Sequence, residues 1–489
     1  MKSNLKQNAV LNIVRTSLSV IAPLITYPYV LRVLGVENVG KVSYVASIIN
    51  YFILLAMLGI STYAVREGAK IRSNKEALNQ FSGEVLTINV CSTIFSYLLL
   101  ILAAVFIERL KDYRLLLFIQ SFAIVFTTFS VDWINTIFED FLFITVRTIV
   151  FYAISIVLTF VLVKNSADYY LYALISIVSS GLVCVFNWLY CRRYVSIRLV
   201  KNPNWNKHLK QLLILFANGL TILIYVSFDT TMLGWMAGDY YVGLYALPTK
   251  IYTVLKNLMV AVYSVAIPRL AVLLGEYKSD EFKCLYTKLW KYLTVLLLPV
   301  CIGVVCTAGE VVLLFGGSDY FESATALRIL AVGLIFAIFG GLVTACLNVI
   351  IGREKDNLTA SIWGAVLNCG LNLILIPMFK QNGAAFTTLL AELFVFLFCF
   401  ARIPDRAKYF DYETIAKTLV HAVTGTVVIV GISFFVDILN LQPIISLITK
   451  IFASGAAYFG ILYAFHDSVL QEMWSIIKEK FSAKKSRSY

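Results

Sequence analysis

Long apolar runs alternate with short polar gaps along the chain. The runs lie near 10–31, 41–63, 82–106, 115–135, 141–163, 170–190, 211–233, 242–268, 288–308, 326–350, 358–379, 384–403, 416–437 and 444–465. Each holds about 20 residues, enough to cross about 30 Å of hydrocarbon as a helix. The pattern predicts an all-α polytopic membrane protein of about fourteen spans. An even count places both termini on one side.

Lys and Arg decide which side. The odd-numbered gaps, such as "RVLGVENVGK", "ERLKDYR", "KNSAD" and "AGDYY", hold roughly seven of them; the N-terminus, the even-numbered gaps and the tail hold roughly 27, a bias that predicts cytoplasmic termini. None of the expected outer loops is long enough to build an active site. That favours transport over a membrane enzyme that polymerises or ligates its substrate.

Composition strengthens this picture. Of 489 residues, 60% are hydrophobic and 14% charged, and the mean hydropathy is +0.82. A soluble protein could not hide so much apolar surface. The net charge of +13 would suggest nucleic acid in a soluble chain. Here the basic residues flank spans and serve topology, so no nucleic-acid partner is expected. The nine cysteines fall in spans or expected cytoplasmic loops, where disulfides do not persist. No His and Cys spacing suits a metal, no Gly-Lys-Ser loop suits a nucleotide, and no catalytic group or cofactor is expected. The first apolar run lacks a cleavage site and is expected to remain as an anchor.

Two internal echoes suggest duplication. "VLRVLGVENVGKVSYV" (30–45) lies over "LGWMAGDYYVGLYAL" (233–247), with Gly35 on Gly238, Val39 on Val242 and Gly40 on Gly243. "INTIFED" (134–140) lies over "LNVIIGR" (347–353), and the two offsets are similar, 203 and 213 residues by subtraction. The expected organisation is an N-terminal six-helix lobe (1–200), a second six-helix lobe (201–410), and two extra spans with a basic cytoplasmic tail (411–489). A transport site would lie between the lobes.

Several spans carry polar stripes at helical spacing. Asn8, Asn12, Arg15, Ser19 and Thr26 share one face of the first span, and Ser43, Ser47 and Asn50 one face of the second. Asn218, Tyr225 and Asp229 do so in the seventh. Tyr245, Thr249, Tyr252, Lys256 and Tyr263 do so in the eighth, with Lys250 beside them. Ionisable groups within a span face a wet cavity or a partner, and a lysine at the bilayer centre costs at least about 2.5–3.5 kcal/mol. Arg15 lies in such a cavity or snorkels to the headgroups. Asp229 is a candidate partner for Lys250 or Lys256, or a coupling group. Glu392, mid-span with no basic residue within a turn, is a protonatable coupling group or a hydrogen-bonded core acid. Asp132, Asn135 and Glu139 are spaced either as a paired acid/base site or as capping and loop contacts. Pro23, Pro28, Pro248 and Pro299 interrupt backbone hydrogen bonds inside spans.

The stretches "PLITYPYVLRVLGVENVGKVSYV", "YFILLAMLGISTYAVREGAKIR", "VDWINTIFEDFLFITVRTIV" and "ILIPMFKQNGAAFTTLLAE" resemble polysaccharide flippases of the Wzx type, in the multidrug/oligosaccharidyl-lipid/polysaccharide exporter superfamily. The resemblance implies two six-helix bundles in a V with a central cavity, plus two C-terminal helices, working by alternating access. It implies a bacterial cytoplasmic membrane location and an undecaprenyl-pyrophosphate-linked oligosaccharide as substrate, for capsule or O-antigen assembly. The partners it implies are the bilayer, a polysaccharide polymerase and other assembly proteins. Related lipid II flippases set basic residues of the first, second and eighth helices around the pyrophosphate, which Arg15, Lys250 and Lys256 match in helix and depth. The second span departs from that pattern, having no mid-span Arg. Asn12, Ser47, Asn218 and Tyr252 complete the expected cavity lining, with Asp229 and Glu392 as coupling candidates. A multidrug or lipid II exporter of the same superfamily is the alternative; a drug exporter would favour acidic deep residues.

Overall fold

The computed structural model describes residues 5–472; for residues 5–23, 222 and 224–226 it describes the backbone alone. The chain forms two compact units, Met1–Ala246 and Leu247–Tyr489. The first contains α1 (Leu5–Met57), α2 (Ile60–Ile71), α3 (Lys75–Phe106), α4 (Arg114–Ser130), α5 (Asp132–Ile137), α6 (Phe141–Leu162), α7 (Tyr169–Cys191), α8 (Trp205–Met236) and the start of α9 (Asp239–Ser264). The second contains the rest of α9, α10 (Ile267–Gly275), α11 (Ser279–Gly316), α12 (Ser323–Val343), α13 (Glu354–Ala401), α14 (Tyr412–Ile438) and α15 (Pro443–Ala464). The division falls within α9. The reason is that α8 packs along α1 inside the first unit, and α14 and α15 pack on α11 inside the second.

Among the described residues, 11 helices are long and apolar enough to cross a membrane. The difference from about fourteen expected spans has identifiable sources. The first two expected spans run as one helix, α1, broken at Gly35 (φ 74°, ψ 170°). The eleventh and twelfth run as α13, broken at Lys380 (φ 52°, ψ −128°). The seventh lies in α8, part of which is described by its backbone alone. Neither break falls on a proline. Pro248, Pro299 and Pro377 sit within helices, while Pro23 lies outside the described side chains.

The helices form where apolar residues can satisfy the backbone internally, the only economical state in lipid. Polar side chains mark their ends. Asn74 caps α3 by accepting from Ala77 N–H at 3.0 Å, and Asp411 caps α14 by accepting from Thr414 N–H at 3.2 Å. Outward faces are apolar, as with Phe95, Leu98 and Ile101 on α3 and Val427, Val430 and Phe434 on α14. Inward faces of the first unit carry small polar groups. Asn89 Nδ2 and Ser92 Oγ both donate to Ala56 O, at 2.8 and 2.5 Å. Ala56 lies in the last turn of α1, where carbonyls lack helical partners, so these bonds tie α3 to the end of α1. In the second unit Trp290 stacks on Phe339 at 4.7 Å within a core that includes Phe282, Tyr286 and Phe410.

The gaps segregate as the alternation of spans requires. In the first unit Lys41, Asp112, Tyr113, Tyr169, Tyr170 and Asp239, all from odd-numbered gaps or their edges, line one cavity of about 300 Å³. There Tyr113 Oη donates to Asp239 Oδ2 at 2.6 Å. Even-numbered gaps meet one another instead. Arg72 pairs with Glu139 at 3.0 Å, and Arg193 with Asp140 at 2.5 Å. Burial would raise the Asp140 carboxyl, but hydrogen bonds from Tyr190, Tyr194 and Phe143 N–H and the charge of Arg193 outweigh it and hold the group below its ordinary range. In the second unit Arg402, at the end of the twelfth expected span, reaches Asp356 of the tenth gap at 3.2 Å.

The aligned echoes match in backbone as well as sequence. Gly35 and its counterpart Gly238 both have positive φ, 74° and 101°. Gly40 and Gly243 mark a close approach of α1 to α9 inside the first unit. A Cβ on Gly40 would lie 1.8 Å from Asp239 O, and one on Gly243 would lie 1.9 Å from Val36 O. The second echo aligns Asn135 with Asn348. Both are buried, and each donates from Nδ2 to another amide: Asn187 Oδ1 at 2.5 Å and Asn357 Oδ1 at 2.8 Å.

Candidate functional site

The expected site residues divide between the units. In the first, Ser47 on α1 is buried; its hydroxyl donates to Tyr44 O at 2.7 Å and bonds Thr231 Oγ1 of α8 at 2.9 Å. Tyr51 Oη reaches the same Thr231 hydroxyl at 3.2 Å. Two residues earlier on α8, Asp229 is buried and accepts from Tyr245 Oη at 3.3 Å. Asn218, nearer the start of α8, is exposed. The side chains of Asn12, Arg15 and Tyr225 lie outside the described residues.

The second unit gathers three expected residues into one cluster. Tyr252 and Lys256 are one turn apart on α9 and share a face. Glu392 approaches from α13. Its Oε1 accepts from Tyr252 Oη at 2.8 Å and from Lys256 Nζ at 2.8 Å. Lys256 Nζ also donates toward Tyr252 Oη at 3.4 Å, which closes a cycle of three groups. Lys256 therefore has its carboxylate on α13. The sequence had suggested Asp229 as its partner and left Glu392 with no nearby base. Lys250, six residues earlier, is half-buried.

The cluster is charge-balanced and unevenly covered. The Glu392 side chain is 8% exposed and the Lys256 side chain 31%. A carboxylate removed from water needs such compensation, and an ammonium with one face exposed can bind a further anion. The Tyr252 ring adds a cation–π contact, with Nζ 5.4 Å from its centroid.

Sequence reasoning missed further polar contacts. Thr387 Oγ1 donates to Asn372 Oδ1 at 2.6 Å, and Asn372 Nδ2 donates to Asn368 Oδ1 at 3.1 Å, linking the two halves of α13. Two asparagines four apart in an apolar span were the available signal. Lys450 of α15 is buried between Glu310 of α11 and Asp437 of α14, the latter at 2.6 Å. Asp132 and Glu139 are held by Arg147 and Arg72, each at 3.0 Å, as loop and packing contacts.

Two helical units of membrane-length helices, with a lysine, a tyrosine and a carboxylate held inside one, define a multi-pass integral membrane protein. The fold is shared with solved polytopic helical membrane proteins. It is similar to the lipid II flippase MurJ in its inward closed conformation, with a TM-score of 0.73, 16% identity, and coverage of 94% of this chain and 99% of that one. It is also similar to an inward-facing multidrug resistance MATE family transporter, with a TM-score of 0.56, 15% identity, and coverage of 78% and 96%. Over residues 5–274 the sequence matches the polysaccharide biosynthesis protein family, and the chain belongs to that family. Among its relatives is a Shigella dysenteriae protein named "Putative O-antigen transporter", 21% identical over 81% of this chain and 98% of that protein. Another is the "Probable flippase AglR" of Haloferax volcanii, 24% identical over 54% of this chain and 55% of that protein.

Proposed function

We propose that the chain is a flippase. It moves an undecaprenyl-pyrophosphate-linked oligosaccharide repeat unit from the inner to the outer leaflet of a bacterial cytoplasmic membrane by alternating access, for surface polysaccharide assembly. Both termini are cytoplasmic. The observation that carries this reading is the partly exposed Lys256 ammonium, held on a membrane helix beside Tyr252, in a chain of the polysaccharide biosynthesis family. A lipid diphosphate is an anion, and an ammonium in a region of low dielectric attracts it more strongly than one in water. Arg15 and Lys250 supply further positive charge; Asn12, Ser47, Asn218 and Tyr252 supply polar contacts to sugar hydroxyls.

Asp229 and Glu392 are the coupling carboxylates. Transport of a charged headgroup needs an energy source, and a buried carboxylate that exchanges a cation as access alternates provides one. The test is export in cells that lack their own flippase. Lys256→Ala and Arg15→Ala abolish export while the protein still reaches the membrane, and Lys256→Arg keeps part of it. Normal export by both alanine variants overturns the proposal.

A further inference from the structure

We infer that Glu392 is an internal competitor for the substrate's diphosphate, occupying Lys256 until the substrate displaces it. The inference rests on the proposed role of Lys256 and adds a regulation of that site. Three features carry it. Lys256 Nζ holds Glu392 Oε1 at 2.8 Å, the distance of a charge-assisted bond. The carboxylate lies behind, 8% exposed, while the lysine is 31% exposed, so an incoming anion meets the ammonium from the open side. Tyr252 Oη donates to the same Oε1 at 2.8 Å, so the carboxylate keeps a hydrogen bond when Lys256 turns away.

The choice of residue fits an exchange. A lysine is a point charge on a flexible four-carbon stem and can swing between two anions, whereas an arginine fork would lock a carboxylate in place. An ammonium already paired with a carboxylate gains little from a weak monoanion. A diphosphate, with more charge and more acceptor oxygens, displaces the carboxylate. Glu392 thus sets a threshold that discriminates by anion charge. Diphosphate is the shared chemistry of a free ion and a lipid headgroup.

The experiment measures binding of inorganic pyrophosphate and, separately, farnesyl diphosphate to the purified full-length protein by calorimetry. Wild type is compared with Glu392→Gln, Glu392→Asp and Lys256→Ala. Glu392→Gln removes the competing charge, and Glu392→Asp withdraws it by one methylene, which guards against misfolding of either variant. Both are expected to bind at least tenfold tighter than wild type, and the gain disappears in the Lys256→Ala/Glu392→Gln double variant. The ratio between the two probes separates a lipid-linked from a free diphosphate. If Lys256→Ala weakens binding but neither Glu392 variant tightens it, the competition is overturned and the proposed function stands. If Lys256→Ala binds as wild type does, the role of Lys256 fails, and the competition with it.

Discussion

The close approach of α1 to α9 gives a sharp test. Gly40→Ala places a methyl group 1.8 Å from the carbonyl oxygen of Asp239 and 2.9 Å from Gly243 N. Both are backbone atoms, so no side chain can rotate away. Restoring ordinary contact requires the two helices to separate by about 1.5 Å, and overpacking of this kind costs about 1–3 kcal/mol, with a rigid backbone contact near the upper end. Gly243→Ala presses on Val36 O across the same junction, at 1.9 Å. One separation relieves both methyls, so the double variant loses less than the two single losses together. Gly370→Ala is the control, because nothing lies within 4 Å of a Cβ there; helix propensity makes it neutral or stabilising by up to about 1 kcal/mol. Thermal unfolding of the purified protein reads the difference. A loss of about 2–3 kcal/mol lowers the midpoint by about 4–12 °C for a unit of this size. Gly40→Ala with the midpoint of wild type would refute the junction.

Gly35→Ala meets no atom within 4 Å, yet φ 74° with ψ 170° is a region almost reserved for glycine, so a loss of about 1–3 kcal/mol of purely conformational origin is expected in the same unfolding assay. Lys450→Met leaves the 13%-exposed Glu310 side chain without its ammonium, and a loss of about 3 kcal/mol, the low end for a broken buried pair, is expected; Glu310→Gln in the same chain recovers most of it, and failure to recover would show that the cluster does not act as an ion pair. A reporter active only in the periplasm, fused after Tyr489, stays silent if the basic bias orients the chain; activity would reverse the topology.

The helices were legible in the chain because bilayer thickness fixes span length; the break at Gly35 and the crowding at Gly40 were not, although few residues other than glycine tolerate either. The echo of 30–45 in 233–247 pairs glycines that share these properties. The polar stripe of α9 was legible too, since Tyr252 and Lys256 sit four residues apart. Their partner was not. Glu392 lies 136 residues from Lys256, and periodicity within one helix says nothing of which helix faces it. The same holds for Lys450 with Glu310 and for Ser47 with Thr231. Merged spans were misjudged for a different reason. Hydropathy falls at a polar bend whether or not the helix stops, so "RVLGVENVGK" reads as a gap although α1 runs through it with a break at one residue.

The central claim is that the chain moves lipid-diphosphate-linked oligosaccharide through a step that needs Lys256. The direct measurement places an undecaprenyl-pyrophosphate-linked oligosaccharide in both leaflets of proteoliposomes holding wild type or Lys256→Ala, and follows its cleavage by a glycosidase confined outside. With wild type, cleavage proceeds past the outer-leaflet half as inner-leaflet substrate arrives. With Lys256→Ala, reconstituted in equal amount, it stops at that half. Wild-type vesicles that stop at half, or Lys256→Ala vesicles that match the wild-type rate, would contradict the account.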